Sequence, residues 1–165
     1  MKYRLIKQEP YCCVPRCLQT IFDRNNIKYD SQFEIAKELG FRNDEKYKGT
    51  QVQRDEYSIE KYLKSHNIPL NFKYIYNLNY NEVKKLLNTY KDDDIMVCYK
   101  RGIMFGKNLE GGHATIIEKL EKDVVTLLYP EDKDGYRHVN LRALINAIKC
   151  HGKENKAGFW IFIHK

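Results

Sequence analysis

Apolar side chains recur at helical spacing along much of the N-terminal half and at strand spacing in the C-terminal half. Val14, Cys17, Leu18, Ile21 and Phe22 predict a helix beginning at about Val14 or Pro15, where proline suits a first helical position, and Cys13 then sits at its N-terminus. A second helix is predicted from about Gln32 to Leu39: Ser31 and Glu34 make a capping box, Phe33, Ile35, Ala36 and Leu39 supply contacts, and Gly40 stops it. A third spans about Ile59 to His66 and ends before Asn67-Ile68-Pro69, and a fourth, near Asn81 to Tyr90, carries Val83, Leu86, Leu87 and Tyr90 on one side.

Alternation and short apolar runs predict strands at about 70–76, 95–99, 114–119, 123–129 and 158–164. One more helix, Leu141 to Cys150, has Asn140 as cap, Leu144, Ile145 and Ile148 on its apolar face and Gly152 as terminator. The polar stretch 41–57 reads as a surface excursion, and 100–112 as a Gly-bearing loop leading into the strand near His113. Helices followed by mostly antiparallel strands predict an α+β domain with helices packed on a sheet. With no repeat, low-complexity tract or linker, residues 1–165 read as a single domain.

Composition narrows the function classes. Apolar residues make up 42% of the chain, enough for a real core, which argues against intrinsic disorder. The net charge of +7 is spread along the whole chain and favours acidic partners only weakly. Thirteen tyrosines among many Asn, Lys and Ile fit an AT-rich coding bias as well as a base-stacking platform, so nucleic acid is not the expected partner. No run approaches the roughly 20 apolar residues of a membrane span. The N-terminal MKYRLIKQEPY also lacks a secretory apolar stretch, so the chain reads as cytoplasmic.

In a reducing compartment the adjacent Cys12 and Cys13, with Cys17 close by, point to a reactive or buried thiol rather than a disulfide framework. Cys13 is placed for a helix N-terminus to favour its thiolate. Cys17 falls on the apolar face, and Cys12 is intermediate. A metal site built from Cys12, Cys13, Cys17, Cys98, Cys150 and some His lacks the usual Cys-x2-Cys spacing, and no cofactor is expected. Gly111-Gly112-His113, followed by Ala114-Thr115-Ile116-Ile117, gives an imidazole at the start of a buried strand behind two glycines that let another backbone approach. His66, His138, His151 and His164 have weaker contexts. Gln8, shortly before Cys13, can offer a side-chain amide to an oxyanion.

The segment Gln8-Glu9-Pro10-Tyr11-Cys12-Cys13-Val14-Pro15-Arg16-Cys17-Leu18 resembles the Gln…Cys-Gly-Pro-x-x-Leu opening of the C39-type, bacteriocin-processing (double-glycine) papain-like cysteine peptidases of bacteria. His113 with its glycines resembles that family's Gly-His-hydrophobic motif, and Val124 to Pro130 its strand ending in Asp-Pro. The resemblance implies a papain-like fold over nearly the whole chain and a Cys-His peptidase or amide hydrolase. It makes Cys13 the nucleophile, His113 the general base and acid, and Gln8 the oxyanion donor. The implied substrate is a peptide or protein, such as a leader peptide cut after a small-residue pair. Acyl transfer or deamidation is a related outcome, and a catalytically weak peptide-binding module the alternative.

Three departures from the family pattern stand out. Val14 replaces the Gly after the nucleophile, the Gln-to-Cys spacing is about one residue short, and Tyr129 stands where the family has Asp. Glu131, two residues on and on the same face if the strand persists, is the first choice to orient His113. Asp132, the Tyr129 hydroxyl, or no side chain at all are the other possibilities.

Overall fold

A computed structural model describes residues 2–164 apart from 78, 107, 108 and 110. Helix α1 (Cys13–Arg24) follows a tight turn in which the Cys12 N–H donates to the Glu9 carbonyl at 3.1 Å and Tyr11 adopts φ +59°. Cys12 at its head makes no side-chain cap, so the first-turn N–H groups are left for other acceptors. Helix α2 (Gln32–Glu38) has the expected Ser31/Glu34 capping box. The 41–57 excursion holds two short paired strands, β1 (Arg42–Asn43) and β2 (Lys48–Gly49), and a 3-10 turn at Asp55–Tyr57.

Next come α3 (Ile59–Ser65), β3 (Leu70–Ile75), α4 (Tyr80–Thr89) and β4 (Asp94–Lys100). The chain continues through α5 (Arg101–Phe105), β5 (Gly112–Glu121), β6 (Val124–Leu128), β7 (Tyr136–Asn140), α6 (Leu141–His151) and β8 (Gly158–His164). Helix α5 lies where the sequence pattern predicts a loop, and β7 in a segment around His138 that the pattern leaves open between strand and turn. The single turn of α5 is too short to show a period, and β7 is a half-exposed edge strand with little alternation to read.

Strands β3 to β8 form one antiparallel sheet in the order β3-β8-β4-β5-β6-β7, so the domain is α+β as expected. Side chains alternate across β4. Met96 and Cys98 face α1 to α3 and pack with Val14, Cys17, Leu18, Ile21 and Phe22. Ile95, Val97 and Tyr99 face α4 and α6, with Val83, Leu87, Leu144 and Ile148. Because both faces are covered, β4 is buried almost throughout and reads as an unbroken apolar run.

Buried Asp94 ties the chain start to α1, accepting hydrogen bonds from the Tyr3 hydroxyl at 2.7 Å, the Arg24 guanidinium and the Asn25 amide at 2.8 Å. No helix among the described residues is long and apolar enough to cross a membrane.

One irregularity positions the site. Strand β5 pairs with β4 from Gly112 onward, but with β6 only from Ile117. The two strands part at their outer end, where the Thr115 hydroxyl reaches the Leu128 carbonyl. The head of α1 sits against this opening. The Ala114 carbonyl accepts from Arg16 of α1, and the Ala114 amide favours the thiolate of Cys13 on the same helix.

Candidate active site

Cys13 is the first residue of α1 and half-buried. The backbone amides of Ala114, across the gap, and of Val14 and Cys13 itself pull its pKa down, and the Arg16 guanidinium acts in the same direction. All four favour thiolate, but burial is the largest influence and holds the pKa above that of a free thiol. At neutral pH the resting group is a thiol. Cys12 is fully buried and pushed up to about 11, and Cys17 is buried in the core and pushed up to about 12. Of the three, only Cys13 reaches a cleft.

His113 lies opposite Tyr99 in the β4–β5 register. Its ring stands edge-on to Tyr99, with centroids 5.9 Å apart, and is tilted against Tyr129 at 5.4 Å; the two phenol hydroxyls are hydrogen-bonded to each other. Only 8% exposed, the imidazole is driven down to a pKa of about 3, chiefly by burial and then by the charges of Arg16, Arg101 and Arg137. It is therefore a neutral base at physiological pH.

None of the expected orienting groups is hydrogen-bonded to it. Glu131 accepts from the Gln8 backbone N–H at 3.1 Å, Asp132 is held by both faces of the Arg137 fork, and the Tyr129 hydroxyl is engaged by Tyr99. The expectation for Glu131 required strand alternation to continue past Tyr129. Instead β6 ends at Leu128 and the chain turns, with Tyr129 N–H donating to the Gly135 carbonyl at 2.8 Å and Asp132 N–H to the Tyr129 carbonyl at 3.0 Å. Among the described residues, no side-chain hydrogen bond reaches the imidazole.

Two clefts meet at His113. One, of about 230 Å³, is lined by Cys13, Val14, Cys98, Gly111 to Ala114, His151 and Asn155, with Tyr47 to Thr50 of the excursion forming another wall. The other, of about 220 Å³, is lined by Gln8, Glu9, Pro10, Arg101, His113, Tyr129, Glu131, Asp132 and Arg137. Cys13 and His113 thus share a cleft, whereas Gln8 and Glu131 border the neighbouring one. Gln8 is fixed there by its backbone bond to Glu131, while Gln32 ties down the adjoining residues through the Glu9 N–H and the Lys7 carbonyl.

Sequence reasoning missed three features. His151, at the end of α6, lies in the Cys13 cleft, with its ring where a Cβ on Gly112 would go. The available signal was Gly112 itself, whose missing side chain makes that room. Arg16 is 1% exposed on a helix face where a basic residue ordinarily meets water. Arg101, at the start of α5, and Arg137, on β7, line the second cleft with the imidazole and lower its pKa, and nothing in their spacing announces it.

Among the described residues, the one group of His, Cys, Asp or Glu close enough to share an ion is the surface trio Asp30, Glu38 and His66. No family model matches this chain, and no curated protein does.

Proposed function

We propose that this domain is a thiol-dependent peptidase or amide hydrolase of papain-like, C39-type architecture, acting on a peptide in the cleft shared by Cys13 and His113. One observation carries the reading: the thiol at the uncapped head of α1 opens into a cleft that His113 also lines. The order of parts also supports it, with a helix bearing Cys13 packed on an antiparallel sheet and the imidazole at the start of a central strand.

In this reaction the Cys13 S–H proton passes to His113, which is neutral at rest and so has a lone pair to accept it, although its lowered pKa makes it a weak base that holds the proton only in passing. The sulfur forms a bond to the substrate carbonyl carbon, and the carbonyl π pair moves onto oxygen. The uncapped backbone N–H groups at the head of α1 serve as donors for that oxyanion. Collapse breaks the C–N bond, and His113 returns its proton to the departing amine. Water then hydrolyses the thioester by the same route in reverse, or an amine resolves it in an acyl transfer. Gly111 and Gly112, without side chains, admit an extended substrate backbone beside the sulfur.

A second reading, a peptide-binding module without turnover, is favoured by the neutral thiol and imidazole at rest and by the missing carboxylate behind His113. Incubation with a peptide-amide library, read by mass spectrometry, separates the two. Cleavage that is lost in Cys13→Ala, with the fold intact by circular dichroism, is the expected result. Peptide retention that is equal in wild type and Cys13→Ala, with no cleavage and no acyl adduct, overturns the enzyme reading.

A further inference from the structure

Arg16 is 1% exposed, yet its Nε and Nη1 atoms have no hydrogen-bond partner and no carboxylate neutralises it among the described residues. Its contacts are through Nη2, to the Ala114 carbonyl at 3.5 Å and the Thr115 hydroxyl at 3.3 Å. A charge taken out of water with neither an opposite charge nor a full set of hydrogen bonds is strongly unfavourable, and an apolar residue of similar volume would fill the site without that cost. A place for such a charge makes physical sense when an anion forms beside it. Cys13 is the group that can supply one. It lies three residues back on the same helix, hence on the neighbouring surface position. Both residues act at Ala114, whose amide favours the Cys13 thiolate and whose carbonyl accepts from Arg16.

We infer that Arg16 is the built-in counter-charge for the anion that forms at Cys13 when its thiol reacts. The inference rests on the thiol chemistry proposed above and adds a positioning residue to it. In a thiol-imidazole dyad the protonated imidazole ordinarily balances the sulfur. Here His113 is buried among Arg16, Arg101 and Arg137 with no carboxylate bonded to it, a poor place to hold a proton for long. The imidazole carries the proton from the thiol to the departing amine, and the guanidinium balances the charge left on sulfur meanwhile. Because Arg16 is un-neutralised at rest, its field is already oriented when negative charge develops on sulfur and then on the carbonyl oxygen. The ionisable groups facing this point are Cys12 beside α1, Cys13 and Cys17 on α1, Cys98 on β4, His113 on β5, His151 at the end of α6, Tyr129 beyond β6, Arg101 and Arg137 around the imidazole, Lys46, Tyr47 and Lys48 from the excursion, and Glu131, whose charge reaches Cys17.

The test is the pH profile of Cys13 alkylation by neutral iodoacetamide, followed by peptide mass spectrometry, in wild type, Arg16→Met and Arg16→Lys. Arg16→Met is expected to move the profile up by about one pH unit, a tenfold loss of thiolate at any pH below the midpoint, and Arg16→Lys to restore most of it. A merely structural role would alter melting temperature without moving the profile. Coincident wild-type and Arg16→Met profiles overturn the counter-charge and leave the thiol chemistry standing. Failure of wild-type Cys13 to alkylate at any pH overturns both. Should Arg16→Met not fold, wild type decides through the rate ratio of anionic iodoacetate to iodoacetamide at Cys13. A ratio several-fold higher in folded protein than in urea is expected, and an equal ratio overturns the inference.

Discussion

His113 makes an unusually specific acid-stability prediction. Its pKa is about 3 in the folded protein against an ordinary 6.5, so between those values the unfolded chain binds a proton that the native state refuses. Stability is therefore fully present above pH 6.5 and is lost as pH falls toward 3. The expected loss from this one group is about 1.4 kcal/mol at pH 5.5 and about 2.7 kcal/mol at pH 4.5, tending to about 5 kcal/mol in strong acid. Against a typical domain stability of roughly 5–15 kcal/mol, that decides where the fold gives way.

Salt-bridged carboxylates such as Asp132 and the half-buried His151 push in the same direction, so the informative quantity is a difference. His113→Gln keeps a polar side chain of similar size and removes the titration. Urea unfolding of both proteins at pH 7.5, 6.5, 5.5 and 4.5 should show wild type losing about 2.7 kcal/mol more than the variant by the last point. Parallel stability curves would refute the argument, since the imidazole would then titrate alike folded and unfolded.

Other substitutions test separate parts of the structure. Cys17→Ala, which removes a buried sulfur from the face α1 turns to the sheet, should cost about 1–2 kcal/mol by thermal denaturation and leave Cys13 chemistry unchanged. Asp94→Ala strands the Arg24 guanidinium and the buried Tyr3 hydroxyl, and should cost about 3–5 kcal/mol in urea unfolding. Gly112→Ala puts a methyl group into the His151 ring, so a loss of about 1–3 kcal/mol is expected, with a shifted His151 resonance in NMR. Gln8→Ala should slow turnover less than tenfold, because Gln8 borders the other cleft, whereas loss of a direct oxyanion donor costs on the order of 10²-fold.

Much of this architecture was legible because it depends on local signals. The Ser31/Glu34 box, the Asn140 cap and the Gly152 stop each mark a helix end by chemistry confined to a few neighbouring residues, and the structure uses all three. The central strands announced themselves by apolar runs. The helix start at Cys13 and the strand start at His113 were also readable, since each has a local pattern, whereas bringing the two together was only what the family resemblance implied.

What lay beyond reading was set by tertiary geometry. Glu131 was expected on a continuing strand, but a turn held by Tyr129 and Gly135 removes it from the face of His113. Arg16 sits in α1 between Val14 and Cys17, where charge alone argues for solvent. It is buried because β5 and β6 part and leave a polar notch for it. His151 arrives from the far end of the chain.

The decisive measurement is the site of covalent modification by a peptide carrying an activated acyl group, followed by intact and peptide mass spectrometry across pH 7–10. Cys13 should form the acyl adduct, with the rate rising through this range because the resting thiol is neutral, slowing sharply in His113→Ala and vanishing in Cys13→Ala. Adducts confined to Cys150, the exposed cysteine, or equal rates in wild type and His113→Ala, would contradict the assignment of Cys13 and His113 as the reacting pair.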